Sequence, residues 1–336
     1  MLKVQAHQDQ KGSGRDQSMN NANAGFKPLI EHRADPYVCR HSDGWYYFTA
    51  SVPDYDRIEL RKSRTIQGLA AARPVAVWRK RDSGPMSAHV WAPELHHLDG
   101  RWYLYFAAGE KEDPWKIRPY VLMCDGQDPL ADEWVELGML QPADGDFFSF
   151  SDFSLDATIF EHGGRRYCIW AQKVREQGGV SNLYIAEMAS PIRLKTKPVL
   201  LSTPEYRWER IGFVVNEGPA VLKRNGNLYV FYSASSTGAC YCVGLLTASE
   251  DANPLDPGAW TKRPLPVLST DRDQGIYGPG HNSFTVSENG EDLIVFHARP
   301  SETIAGDPLY DPSRHTLVAK LTWNADGTPR FLPLTS

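Results

Sequence analysis

Apolar residues in this chain come in short runs of about five to nine positions separated by polar, Gly-containing stretches, and helical periods are scarce, a pattern that predicts strands. Five runs share one layout: HSDGWYYFTAS (41–51), HLDGRWYLYFAAG (97–109), EHGGRRYCIWAQ (161–172), KRNGNLYVFYSAS (223–235) and SENGEDLIVFHAR (287–299). In each, a glycine turn leads into a strand of aromatic and β-branched residues. Asp-Gly, Asn-Gly and Gly-Gly mark tight hairpins because such turns need residues that tolerate positive φ. Aligned on Gly44, Gly100, Gly164, Gly226 and Gly290, the units recur at roughly 60-residue spacing, the signature of a repeat architecture. A third strand is expected in 57–63, 119–125, 183–190, 241–249 and 315–323, and a fourth in 74–78, 133–137, 197–201 and 264–268. Four antiparallel strands repeated five times predict an all-β fold, a five-bladed β-propeller. Two stacked sandwiches would have no need of matching hairpins at a fixed period. The propeller is expected to fill residues 27–336 as a single catalytic-sized domain, after a polar, Gly/Asn/Gln-rich stretch (1–26) that reads as a disordered leader or cloning remnant.

Composition narrows the partners. The chain carries a net charge of −5 with Lys and Arg scattered along it, so it has no electrostatic footprint for nucleic acid. No run of about 18 apolar residues suggests a membrane span. A neutral ligand such as an oligosaccharide or polysaccharide suits this surface, with neither nucleic acid nor membrane as partner. No apolar signal core occurs in residues 1–26, which favours the cytoplasm over the periplasm or secretion. Cys39, Cys124, Cys168, Cys240 and Cys242 lack metal-ligand spacing and read as free thiols, three of them within strands.

The innermost strand of each blade lines the axis of a propeller, so equivalent places ahead of the turn glycines converge in space. Asp35 (RADPYV), Trp91 (HVWAPELH), Asp156 (SLDATIF), Glu217 (NEGPAV) and His281 (GPGHNSF) occupy those places. Any one of them has an ordinary reading as a turn or loop residue. Three carboxylates and a histidine at one axis do not, because like charges in a dry cleft shift one another's pKa at a cost in stability. Two carboxylates, one protonated and one ionised, are the apparatus of glycoside hydrolysis. Glu94 lies closer to its turn glycine than these and is expected to face away from the axis in a structural role.

The five motifs RADPYV, HVWAPELH, SLDATIF, NEGPAV and GPGHNSF, in this order, resemble glycoside hydrolase family 43 over essentially the whole globular part, and FTASVPDYDRIELRKSRTIQGL looks like the arabinofuranosidase branch. The resemblance implies an inverting hydrolase that releases terminal α-L-arabinofuranose from arabinan or arabino-oligosaccharides; β-xylosidase, endo-arabinanase and a non-catalytic sugar-binding propeller are the alternatives. It also implies roles: Asp35 as general base, Glu217 as general acid, and Asp156 as the group that raises and orients Glu217. His281 matches a family histidine that touches substrate and, through water, a structural calcium near the axis; no cofactor is otherwise required. Trp91 offers a face on which a sugar ring stacks, Phe153 and Tyr277 flank the axial strands as further pocket candidates, and Arg299 is placed to bind substrate hydroxyls. The fructan and sucrose hydrolases share the fold but open on a WMNDPN-like motif and follow the acid with cysteine, whereas Glu217 is followed by Gly218.

Overall fold

A computed structural model describes residues 27–334. The expected leader, residues 1–26, lies outside the described residues.

The strands pair locally, each with the next along the chain. The first sheet holds β1 (Ala34–Arg40), β2 (Tyr46–Ser51), β3 (Arg57–Ser63) and β4 (Val75–Arg79) in that order. The second holds β5 (Pro85–Leu98), β6 (Arg101–Glu110), β7 (Arg118–Cys124) and β8 (Val135–Met139). The third runs β9 (Ser154–His162), β10 (Arg165–Val174) and β11 (Val180–Ser190), with β12 (Arg193–Leu194) and β13 (Val199–Ser202) both pairing with β11. The fourth is β14 (Asn216–Arg224), β15 (Asn227–Ala234), β16 (Cys242–Ser249) and β17 (Thr261–Lys262). The fifth is β18 (Tyr277–Val286), β19 (Asp292–Arg299), β20 (His315–Trp323) and β21 (Pro329–Pro333). The innermost strands β1, β5, β9, β14 and β18 contact their neighbours around the ring, with β1 against β18, so the five antiparallel sheets form the expected five-bladed propeller.

The second strands are buried along nearly their whole length because each blade packs between two others, which is why runs such as YYFTAS and NLYVFYSA do not alternate. One core cluster joins Trp91, Leu155, Ile169, Val230 and Tyr232 across the second, third and fourth blades. Each such side chain contributes roughly 1.5–3 kcal/mol through burial. Ring closure falls to the first described residues: Thr316 N–H donates to the Ile30 carbonyl at 2.8 Å and Leu29 N–H to the Thr316 carbonyl at 2.8 Å. Ile30 is buried against Val38, Phe48 and Leu293, which ties the first blade to the fifth.

Outer strands of three blades differ from expectation, the third blade gaining Arg193–Leu194. In the fourth blade the outer strand is Thr261–Lys262 instead of 264–268, because Pro264 and Pro266 have no N–H for a ladder; Leu268 makes only an isolated bridge to Val243. The fifth blade gains Pro329–Pro333, which the sequence pattern did not announce.

One device recurs in all five innermost strands. Register shifts fall at Ala34/Tyr37, Trp91/Glu94, Glu217/Ala220 and Gly280/Ser283, and opposite Ile169/Ala171 in the third blade. At each bulge a residue has left-handed backbone: Asp35 (φ 54), Ala92 (φ 46), Asp156 (φ 56), Gly218 (φ 52) and His281 (φ 45). A bulge re-aims side chains, and a non-glycine residue held this way costs of order 1–3 kcal/mol.

Candidate active site

The bulges bring Asp35, Asp156, Glu217 and His281 together from four different blades. His281 is the hub: its Nδ1 lies 3.5 Å from Asp35 Oδ1 and 4.0 Å from Asp156 Oδ2. Gly218 N–H, next to Glu217, donates to Asp156 Oδ2 at 2.9 Å, and Tyr241 O–H donates to Glu217 Oε1 at 2.8 Å. Asp35 accepts from Ser51 Oγ at 2.6 Å and faces Arg314 Nη1 at 3.5 Å. Asp35 N–H donates to His297 Nδ1 at 3.1 Å, which leaves the proton of that imidazole on Nε2.

Two glycines make the approach possible. Gly218 combines a positive φ with a position where a Cβ would lie 3.2 Å from His281 Nδ1. Gly280 admits the Tyr241 ring, which a Cβ would meet at 2.2 Å.

This environment splits the carboxyls. Asp35 is buried, which raises its pKa, but the His281 and Arg314 charges outweigh burial and hold it well below the usual carboxylate range. Asp156 is pushed up to about 7, first by burial and then by the Glu217 and Asp35 charges against the pull of His281. Glu217 is half-buried and also raised, by burial first and by the Asp35 charge, although the Tyr241 hydrogen bond and His281 oppose the shift. Asp156 and Glu217 interact closely enough to titrate as a pair that retains a proton in the neutral range. His281 is raised because the surrounding carboxylates overcome its burial, whereas burial takes His297 down to about 4. The arrangement sets one ionised carboxylate against a pair that shares a proton.

The other expected residues distribute unevenly. Trp91 is 9% exposed, edge-on to Tyr55 at 5.8 Å and stacked on His89 at 4.6 Å, and its indole Nε1 has no acceptor among the described residues. Phe153 packs at the edge of the same core cluster, with Lys173 Nζ 4.3 Å above its ring. Tyr277 opens β18, half-buried and opposite Arg299 in the register. Arg299 requires a correction. It is buried, and its fork is engaged by Asp311 Oδ1 at 2.6 Å, Ser313 Oγ at 3.0 Å and the Pro308 and Thr237 carbonyls, so it fastens a loop. Glu94 faces His96 Nε2 at 2.8 Å, in keeping with a structural role, though its charge reaches His281.

Sequence reasoning missed Ser51, His297, Arg314 and Tyr241. A signal existed for two of them. Ser51, Ser233 and His297 stand at the same offset after their turn glycines, and the register sets Ala34 opposite Ser51, Glu217 opposite Ser233 and Gly280 opposite His297. Polar residues at that place in an otherwise apolar strand face the bulge. Arg314 and Tyr241 precede third strands and carry no such mark.

Among the described residues no group of three or more His, Cys, Asp or Glu is disposed to hold a metal. All five cysteines are free, with Cys124, Cys168 and Cys242 buried. Among the described residues no helix is long and apolar enough to cross a membrane.

Comparison with known proteins agrees with this geometry. The model of the glycosyl hydrolases family 43 matches residues 27–329. An extracellular exo-α-(1→5)-L-arabinofuranosidase of Streptomyces avermitilis is 50% identical over 305 residues, covering 90% of this chain and 62% of that protein. An α-L-arabinofuranosidase 43 of Humicola insolens is 49% identical, with 90% and 62% covered. This chain thus spans somewhat less than two thirds of the length of either relative. The crystal structure of an α-L-arabinofuranosidase from Lactobacillus brevis superposes with a TM-score of 0.86 at 50% identity, covering 93% of this chain and 97% of that one. A match of this extent, over the same residues that build the five blades and the acid cluster, makes the chain a member of glycosyl hydrolase family 43.

Proposed function

We propose that the protein is an exo-acting α-L-arabinofuranosidase that removes terminal arabinofuranosyl residues from arabinan and α-1,5-linked arabino-oligosaccharides with inversion of configuration. The observation that carries this reading is the split protonation of the axial acids: Asp35 is held ionised while the Asp156–Glu217 pair retains a proton. The sugar is argued from the similarity to exo-arabinofuranosidases at about half of all positions.

In this mechanism Glu217 gives its proton to the glycosidic oxygen as the bond to the anomeric carbon breaks. Asp35 takes a proton from a water that attacks the opposite face of that carbon, so the sugar leaves with the new hydroxyl inverted. Asp156 keeps Glu217 protonated and, through the Gly218 N–H, fixes the backbone beside it. His281 and Arg314 keep Asp35 ionised when substrate shuts out water.

The test is hydrolysis of linear arabinotriose with the first-released anomer followed by NMR, alongside aryl α-L-arabinofuranosides and aryl β-D-xylosides. Release of single β-configured arabinose units from one chain end is expected. α-Arabinose as first product, or preference for xylosides, overturns the reading. Glu217→Gln is expected to lose about 10²–10⁴-fold of turnover on arabinotriose and much less on an arabinoside with a very good leaving group. Equal losses on both would remove Glu217 from the acid role.

A further inference from the structure

Outward from Trp91 the aromatic surface continues. His89 lies nearly parallel to the Trp91 ring (4.6 Å, 23°), with Trp115 5.1 Å and Tyr310 6.2 Å from His89. Trp115 is 54% exposed and Tyr310 53% exposed. The rings come from separate parts of the chain: β5, the β6–β7 connection and the β19–β20 connection. Their inner end adjoins the acids, since Ser51 Oγ donates to Asp35 Oδ2 and accepts from Ala92 N–H, beside Trp91, at 2.8 Å.

These exposed rings are held firmly. His89 has left-handed backbone (φ 50), its Nδ1 donates to the Pro114 carbonyl at 2.8 Å, and its Nε2 then accepts from Tyr310 O–H at 3.1 Å. The Tyr310 loop is fastened from below, where Tyr55 O–H and Arg314 reach the Leu309 carbonyl and Arg299 reaches the Pro308 carbonyl and Asp311. A strained, doubly tethered imidazole and a buried arginine thus hold Tyr310 and its loop, and the Trp115 ring lies 5.1 Å from the same imidazole; both rings stand half in solvent. Rigid apolar area exposed beside a cleft marks a recognition surface, and fixing it in advance lowers the entropy lost on binding.

We propose that Trp115, His89 and Tyr310 form a stacking ledge for the sugar on the leaving-group side of the cleaved bond, so that these residues set the preference for a chain over a simple glycoside. The proposal rests on the exo-arabinofuranosidase reading. The test compares kcat/KM for arabinotriose with that for methyl α-L-arabinofuranoside, whose aglycone has nothing to stack. In Trp115→Ala and in Tyr310→Ala the ratio is expected to fall about tenfold, roughly 1.4 kcal/mol, through KM for arabinotriose. Trp115→Phe should retain most of it. A ratio within twofold of the parent, or an equal loss on both substrates, overturns the ledge. If the parent protein cleaves neither arabinoside, the functional reading fails alone. Titration calorimetry with arabinotriose and xylotriose then judges the ledge: a tenfold weaker affinity in Trp115→Ala upholds it, and unchanged affinity or no binding to the parent overturns it.

Discussion

Asp156 shows what the site demands of single residues. A carboxyl whose folded pKa stands near 7 is protonated in the folded protein over a range where the unfolded chain, at its ordinary value of 3.8, has already lost the proton. Folding stability from this group is therefore present at acid pH and drains away as pH rises toward 7. His281, with its pKa raised, has the same sign, and Asp35, with its pKa depressed, has the opposite one, losing its contribution only on strong acidification. Asn at position 156 stays neutral at every pH and can still accept from Gly218 N–H. Asp156→Asn is accordingly expected to melt at least about 3 °C above the parent at pH 8, on a scale of roughly 2–4 °C per kcal/mol, with the gap closing toward pH 4, while kcat falls. Thermal unfolding across that range checks it; a gap that is constant or reversed would count against the raised carboxyl. The parent's kcat/KM should lose its alkaline side near neutral pH as the pair gives up its proton.

Among elements, the bulged inner strand does most to place chemistry, and Gly280 tests it. An alanine Cβ there would meet the Tyr241 ring at 2.2 Å and push its hydroxyl off Glu217. Gly280→Ala should lose about 1–3 kcal/mol by overpacking and also at least tenfold in kcat. Gly290→Ala, at a turn with φ 81 and open space around it, should lose about 1 kcal/mol of stability and keep its kcat. Paired measurements of melting and turnover separate the two, and an unchanged kcat in Gly280→Ala would refute the Tyr241 linkage. The same element shows how far the chain could be read in advance. Because turn glycines fix where each strand begins, the offsets of Asp35, Asp156, Glu217 and His281 were legible, and so was the propeller. The bulge was not, since nothing local to Asp35 or Asp156 signals left-handed backbone. Arginine choice failed for the same reason. Arg299 ends a strand in plain pattern yet spends its fork on Asp311, while Arg314 reaches Asp35 only because the fifth blade closes against the first.

At the scale of the whole molecule, that closure rests on a short clasp. Ile30 supplies backbone pairing to Thr316 and an apolar side chain to the core between the first and fifth blades. Ile30→Ala is expected to destabilise by about 2–5 kcal/mol, read as a lower midpoint in urea, with activity at 25 °C retained while the ring stays shut. A shift below about 0.5 kcal/mol would mean that the clasp is dispensable. Asp35, Asp156, Glu217 and His281 belong to four separate sheets, and no two of them share one. Competence is for that reason a property of the intact circuit: loosening any single sector dismantles the acid quartet, and turnover followed along a denaturation curve should disappear with the first sector to yield instead of the last.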